Sequence, residues 1–141
     1  MLVPLDAMTD FARDFVLHLP KSLGSRAHVV GLRGDLGAGK TTLVQHIARE
    51  LGVQESVTSP TFVIAERYAI THSPFTSLVH IDAYRLKPEE VRVLGLELFF
   101  ENPHNLVLVE WPENLGPLFY KNAPVLAFSV QSETERIITH A

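Results

Sequence analysis

Cysteine is absent from all 141 residues, so neither a disulfide framework nor a thiolate metal site can organise this chain, and a reducing compartment suits it. A long uncharged apolar run is also missing, although 46% of the residues are hydrophobic; that apolar content belongs in a core rather than a bilayer. Basic excess is the third absence. Twelve Lys and Arg against sixteen Asp and Glu leave a formal charge of -4, without the electrostatic footprint expected of a protein that grips a nucleic-acid backbone unaided. A nucleic acid would reach such a chain through a partner. The first eight residues carry Pro4 and Asp6 and no basic stretch before an apolar one, unlike a secretory signal. Repeats and low-complexity tracts are missing as well. One cytoplasmic domain over residues 1–141 is the expectation.

What is there reads as alternating strands and helices. Thr9 and Asp10 suit a helix start, with Phe11, Phe15 and Leu19 at helical spacing and Pro20 closing it. Residues 28–32 form a short β-branched run that stops at Gly34, as a buried parallel strand does when it feeds a tight turn. From Thr41 onward Leu43, Ile47 and Leu51 share a helical face, and Gly52 stands where a helix end tolerates positive φ. Residues 58–61 read as a loop, 62–70 as a strand, 71–77 as a polar connection and 78–82 as a further strand. Pro88, Glu89 and Glu90 suit the first turn of a helix running through Leu94. Residues 105–110 make the most apolar short run, a central strand; 124–130 and 136–139 are the last strand candidates. The expected fold is α/β, a phosphate-loop NTPase-like mixed sheet flanked by helices.

The segment Gly34-Asp35-Leu36-Gly37-Ala38-Gly39-Lys40-Thr41, followed by Thr42, satisfies the eight-position phosphate-loop pattern. Glycines at 34, 37 and 39 let the backbone wrap closely, so that its N–H groups point at phosphate oxygens. A helix beginning near Lys40 adds its dipole and unpaired N–H groups at the same place. Lys40 is expected to reach the β- and γ-phosphates, and the Thr41 hydroxyl to ligate magnesium. A plain glycine-rich turn explains neither the lysine nor the hydroxyl. A dinucleotide fingerprint needs other glycine spacing. The guanine-reading Asn-Lys-x-Asp element is not matched by Lys121-Asn122-Ala123-Pro124, so ATP is the expected nucleotide.

Magnesium held by a threonine usually needs a carboxylate from a neighbouring strand end. Glu110 ends the 105–110 run and would reach the loop's edge of the sheet; the alternative is an ordinary solvated acid. Asp82 ends the preceding strand and could orient or deprotonate the attacking water or hold magnesium through water; the alternative is an Asp paired with Arg85 or capping a turn. His80 alternates with Asp82 and reads as a packed, hydrogen-bonded histidine. Thr58-Ser59-Pro60-Thr61 lies where nucleotide switches place a phosphate-sensing threonine, or is a plain turn. Trp111 packs beside the site or fills the sheet edge, and Arg136 covers the nucleotide or is one more exposed arginine.

The ordered set of residues 34–42, Thr58-Ser59-Pro60-Thr61-Phe62, His80-Ile81-Asp82-Ala83-Tyr84-Arg85-Leu86 and Glu110-Trp111-Pro112 closely resembles the TsaE family over nearly the whole chain. Leu94-Gly95-Leu96-Glu97 adds to the likeness, although Leu98 stands where a second acid is expected. The resemblance implies a small bacterial ATPase, with ATP and Mg2+ as cofactors, that serves threonylcarbamoyladenosine modification at position 37 of tRNA. It also implies TsaD and TsaB as partners, with tRNA engaged only through their complex and ATP hydrolysis resetting it between cycles. Carried over by residue, it implies Lys40 as the phosphate lysine, Thr41 and Glu110 as magnesium ligands, and Asp82 as important for turnover. Thr61 would lie in a switch-like loop, and Asp10 and Arg136 would flank the nucleotide. The competing functions are a small-molecule kinase with the same loop and a nucleotide-controlled binding module that does not hydrolyse. A kinase usually needs an arginine-rich lid, and Arg67, Arg85 and Arg92 are scattered.

Overall fold

The structure is a computed structural model that describes residues 1–57, 64–72 and 74–140. Its elements run β1 (Leu2–Pro4), α1 (Met8–Leu17), β2 (His28–Arg33), α2 (Lys40–Glu50), β3 (Ala65–Ala69), β4 (Ser77–Asp82), α3 (Glu90–Val93), α4 (Glu97–Glu101), β5 (Asn105–Glu110), β6 (Val125–Val130) and β7 (Glu135–His140). All the described strands join one sheet in the order β1-β7-β6-β2-β5-β4-β3. Strands β6, β2, β5 and β4 run parallel; β3, β7 and β1 pair antiparallel at the margins. The mixed α/β sheet expected from the alternation of elements is what forms. No described helix is long and apolar enough to cross a membrane.

Strand periodicity assigns the two faces. On β5, Leu106 and Leu108 share one core cluster with Met8, Ala12 and Val16 of α1 and Leu43, Val44 and Ile47 of α2. Val107 and Val109 pack the opposite way, with Val91, Phe100 and Leu115. On β4, Leu78 faces α2 while Val79 and Ile81 face away from it. Because successive side chains alternate, the same parity delivers Glu110, His80 and Asp82 to the α2 side. All six residues of β5 are buried, as its unbroken apolar run anticipates for a strand covered on both faces.

Several elements differ from the sequence expectation. Helix α1 starts at Met8 and follows a 3-10 turn over Leu5–Ala7, with no side-chain cap. Thr9, expected to cap it, instead places its hydroxyl 3.3 Å from Nδ1 of His46 on α2. The buried stripe is Met8, Ala12 and Val16, while Phe11 and Phe15 flank it half-buried. The helix expected from Lys87 to Leu94 is a single turn, α3; Gly95, at φ +69°, separates it from α4, which periodicity does not reveal because it has only five residues. Glu90 still closes the entry turn by accepting from the Lys87 N–H at 3.1 Å. Strand β1 is too short to carry a periodic signal and is held by pairing Leu2 with Ile137 and Val3 with Arg136. Residues 58–61, together with the first two of the strand expected over 62–70, lie outside the described residues.

Leu108 is fully buried at the centre of β5, between the two neighbouring parallel strands and under α2. Leu108→Ala is expected to lower unfolding stability by about 2–5 kcal/mol, through lost burial and an unfilled cavity. Urea denaturation with an unchanged m-value checks this; a loss below about 1 kcal/mol would show that the α2 face repacks freely.

Candidate nucleotide site

The turn from β2 into α2 depends on two glycines. Gly34 has φ +152°, and a Cβ there would stand 2.6 Å from the Phe128 carbonyl oxygen of β6. That close approach lets the chain leave the sheet between β2 and β6. Gly39, at φ +102° and ψ 11°, is the residue before α2, in the left-handed region that a side chain disfavours. It leaves the first turn of α2 without a side-chain cap. The leading N–H groups of a helix have no partner within it, so this uncapped end is a natural anion site.

Lys40 opens α2 and is buried to 4% exposure. Its Nζ donates to the Gly34 carbonyl and, at 3.2 Å, to the Asp35 carbonyl. The Trp111 ring centroid lies 4.1 Å from the same ammonium. Burial pulls the Lys40 pKa below the ordinary lysine range, an effect opposed by the charges of Glu110, Asp82, Glu113 and Asp35. Among the described residues no carboxylate lies within ion-pair distance of Nζ. The ammonium is therefore held by neutral dipoles and an aromatic face, with its charge available to an anion.

Thr41 follows, and its hydroxyl lies 3.0 and 2.8 Å from the two carboxylate oxygens of Glu110. Glu110 is 3% exposed, and its Oε2 also lies 2.6 Å from Nε2 of His80. The solvated-acid alternative for Glu110 is thereby excluded. Asp82 serves two purposes: Oδ1 accepts from the Tyr84 N–H at 3.1 Å, and the side chain lines the cavity over the loop. Thr41 and Glu110 are hard oxygen donors of the kind magnesium prefers. Such an ion takes one or two protein oxygens and fills its shell with phosphate and water. The residues present fit that ion.

Trp111 and Arg136 close the cavity, whose volume is about 360 Å³. Trp111 has φ 60° and ψ 54°, a conformation costing about 1–3 kcal/mol for a non-glycine residue. Its N–H donates to the Leu32 carbonyl at 3.1 Å, and its ring meets Tyr84 at 5.1 Å. Arg136 reaches from β7 so that Nη2 lies 3.5 Å from the Gly37 carbonyl, braced by the Ser132 carbonyl at 2.8 Å. A mostly apolar cleft of about 450 Å³ beside α1 is larger, with Asp14, His18, His28 and His140 among its lining residues, but it includes no residue of the glycine-rich loop.

Gly37, Gly39, Lys40, Thr41, Thr42, Asp82, Glu110 and Arg136 thus surround one cavity. Gly34 frames the loop from behind, and Ala38 is buried beneath it. Asp10 is not brought to this place: it sits on the outer face of α1, 79% exposed and 3.4 Å from Arg13. Thr61 lies outside the described residues. His80 is packed and hydrogen-bonded as its pattern suggests; that its partner is Glu110 was not anticipated, although the shared parity of residues 80, 82 and 110 was the available signal. Leu5, beside the cavity, gave none.

Comparison with known proteins follows the same line. The family described as threonylcarbamoyl adenosine biosynthesis protein TsaE matches residues 5–138. Among curated relatives, the tRNA threonylcarbamoyladenosine biosynthesis protein TsaE of a Synechocystis species is 39% identical over 120 residues, covering 83% of this chain and 71% of that protein. Its counterpart from Bacillus subtilis is 38% identical over 124 residues, covering 88% and 75%. The counterpart from a Nostoc species is 43% identical over 90 residues, covering 62% and 54%. The chain therefore spans about half to three quarters of the length of these relatives. The crystal structure of Bacillus subtilis YdiB superposes with a TM-score of 0.74 at 26% identity, covering 99% of this chain and 82% of that one.

Trp111 is the sole tryptophan and lies against the Lys40 ammonium. Drawing that ammonium onto a phosphate is expected to change its emission. Titration with Mg-ATP should therefore give a saturable change in Trp111 fluorescence; invariant emission at saturating nucleotide would mean that Lys40 keeps its contact with the ring.

Proposed function

The chain belongs to the TsaE family, and from that premise we propose that it serves tRNA threonylcarbamoyladenosine biosynthesis as a magnesium-dependent ATPase. The observation that carries this reading is the convergence of the uncapped start of α2, the Lys40 ammonium and the Thr41 hydroxyl beside Glu110 in one cavity. These are the donors a triphosphate and its cation require.

In this reading the backbone of residues 34–41 and Lys40 hold the β- and γ-phosphates. Phosphate oxygens replace the carbonyls of Gly34 and Asp35 as acceptors for the ammonium. Arg136 offers its remaining guanidinium donors from the far side of the loop. Thr41 and Glu110 would hold magnesium, which when bound would supply neutralisation of phosphate charge. Asp82, on the same sheet edge, orients the attacking water and accepts its proton. Trp111 covers the lysine and limits access of bulk water to it.

The reading extends to the cellular setting. The net charge of -4 leaves this chain poorly suited to hold tRNA by itself, which fits a protein that acts on the TsaD and TsaB complex and leaves tRNA to it. Turnover by the chain alone would be slow and would rise in the presence of those partners.

Lys40→Ala is expected to abolish Mg-ATP binding in calorimetry while the protein stays folded by circular dichroism; binding kept in the micromolar class would overturn the site. Asp82→Ala is expected to lower partner-stimulated phosphate release by about 10²-fold or more. If nucleotide affinity and stimulated hydrolysis both survive that substitution, Asp82 has no part in turnover.

A further inference from the structure

His80 is fully buried on β4, on the sheet face covered by α2. Its Nε2 lies 2.6 Å from Oε2 of Glu110, while its Nδ1 is buried with no hydrogen-bond partner among the described residues. A carboxylate that serves a cation can only accept, and in that state Nε2 is the donor of this bond. A buried polar atom left unpaired costs stability. A histidine kept only to fill space would satisfy both nitrogens or give way to an apolar residue. This ring directs its one bond at Glu110.

The effect on Glu110 follows from its geometry. Both carboxylate oxygens contact the Thr41 hydroxyl, at 3.0 and 2.8 Å. That single donor, shared between them, does not fix rotation about the carboxyl axis. His80 contacts Oε2 alone and breaks the equivalence. It leaves Oε1, 3.0 Å from the Thr41 hydroxyl, as the oxygen with spare acceptor capacity, on a residue that lines the cavity. We propose that His80 is a positioning residue, which holds Glu110 in the one rotation that offers a single oxygen to a divalent cation bound with the nucleotide. The inference rests on the Mg-nucleotide reading of the cavity. Partners of this kind commonly change metal affinity by about 10- to 100-fold when removed.

The test separates positioning from bulk. Glutamine can place an amide N–H near the position of Nε2, whereas asparagine stops near Nδ1, short of Glu110. Mn2+ serves as the probe, its binding in the presence of ADP followed by electron paramagnetic resonance on wild type, His80→Gln and His80→Asn. ADP affinity in excess chelator is measured in parallel by calorimetry, and folding by thermal melting. The expected result is Mn2+ affinity about 10- to 100-fold weaker in His80→Asn, largely restored in His80→Gln, with metal-free ADP affinity unchanged in both. Equal Mn2+ affinity in wild type and His80→Asn would overturn the proposal. So would equal losses in both variants, or a parallel loss of metal-free ADP binding, since each would mark a structural role. Should His80→Asn not fold, His80→Leu takes its place with the same expectation. If wild type itself binds no Mn2+ with ADP, the nucleotide reading fails rather than the assignment of His80.

Discussion

A carboxylate sealed at the end of a fully buried strand is tolerable only when hydrogen bonds and opposite charge hold it, and Glu110 is the only buried acid among the described residues. Three groups meet that demand. The Thr41 hydroxyl contacts both its oxygens, the His80 imidazole contacts one, and the Lys40 ammonium contributes charge from nearby. The arrangement ties the first turn of α2 to the ends of β5 and β4. It makes the central parallel strands and α2 one mechanical unit, so that a ligand engaging Thr41 would also engage the strand ends.

The same constraint accounts for the cover over the loop. Asp82 pairs with Glu110 across the β4 and β5 register, and Trp111 leaves β5 in a left-handed conformation that lays its ring over Lys40. The Leu32 carbonyl at the end of β2 accepts the Trp111 N–H, which offsets part of the backbone cost. Tyr84, two residues past Asp82, meets the Trp111 ring in a tilted contact at 5.1 Å. The cavity therefore has a rigid floor, built from strand ends and a helix start, and an aromatic wall anchored to the same strands. Arg136 supplies the remaining side from a strand at the far margin of the sheet, braced by backbone carbonyls. A site held this way positions charged groups through packing, in keeping with the electrostatic nature of phosphate chemistry.

Much of this was legible in the residues because it depends on local rules. Glycine spacing from 34 to 39, the lysine and hydroxyl after it, the apolar run ending in Glu110 and the strand ending in Asp82 all carry their meaning within a few residues. Where local signals were weak, the expectation slipped. Thr9 looked like a cap, but its hydroxyl is directed to His46 of α2. The helix expected from Lys87 to Leu94 shrank to the single turn α3, and α4 went unanticipated because five residues carry no periodic signal. Asp10 was grouped with the nucleotide residues by resemblance and lies on the outer face of α1 instead, paired with Arg13.

The sequence by itself determined that a glycine-rich turn would join a buried strand to a helix and that acids would end the neighbouring strands, because turn geometry and strand parity follow from near neighbours in the chain. Tertiary structure alone decided which distant groups meet: that His80 would bind Glu110 thirty residues away, that Trp111 would cover Lys40, and that Arg136 would arrive from β7. Those contacts depend on strand order and on the faces two elements present to each other. Both are outcomes of burying the whole sheet, and no local window of residues contains them.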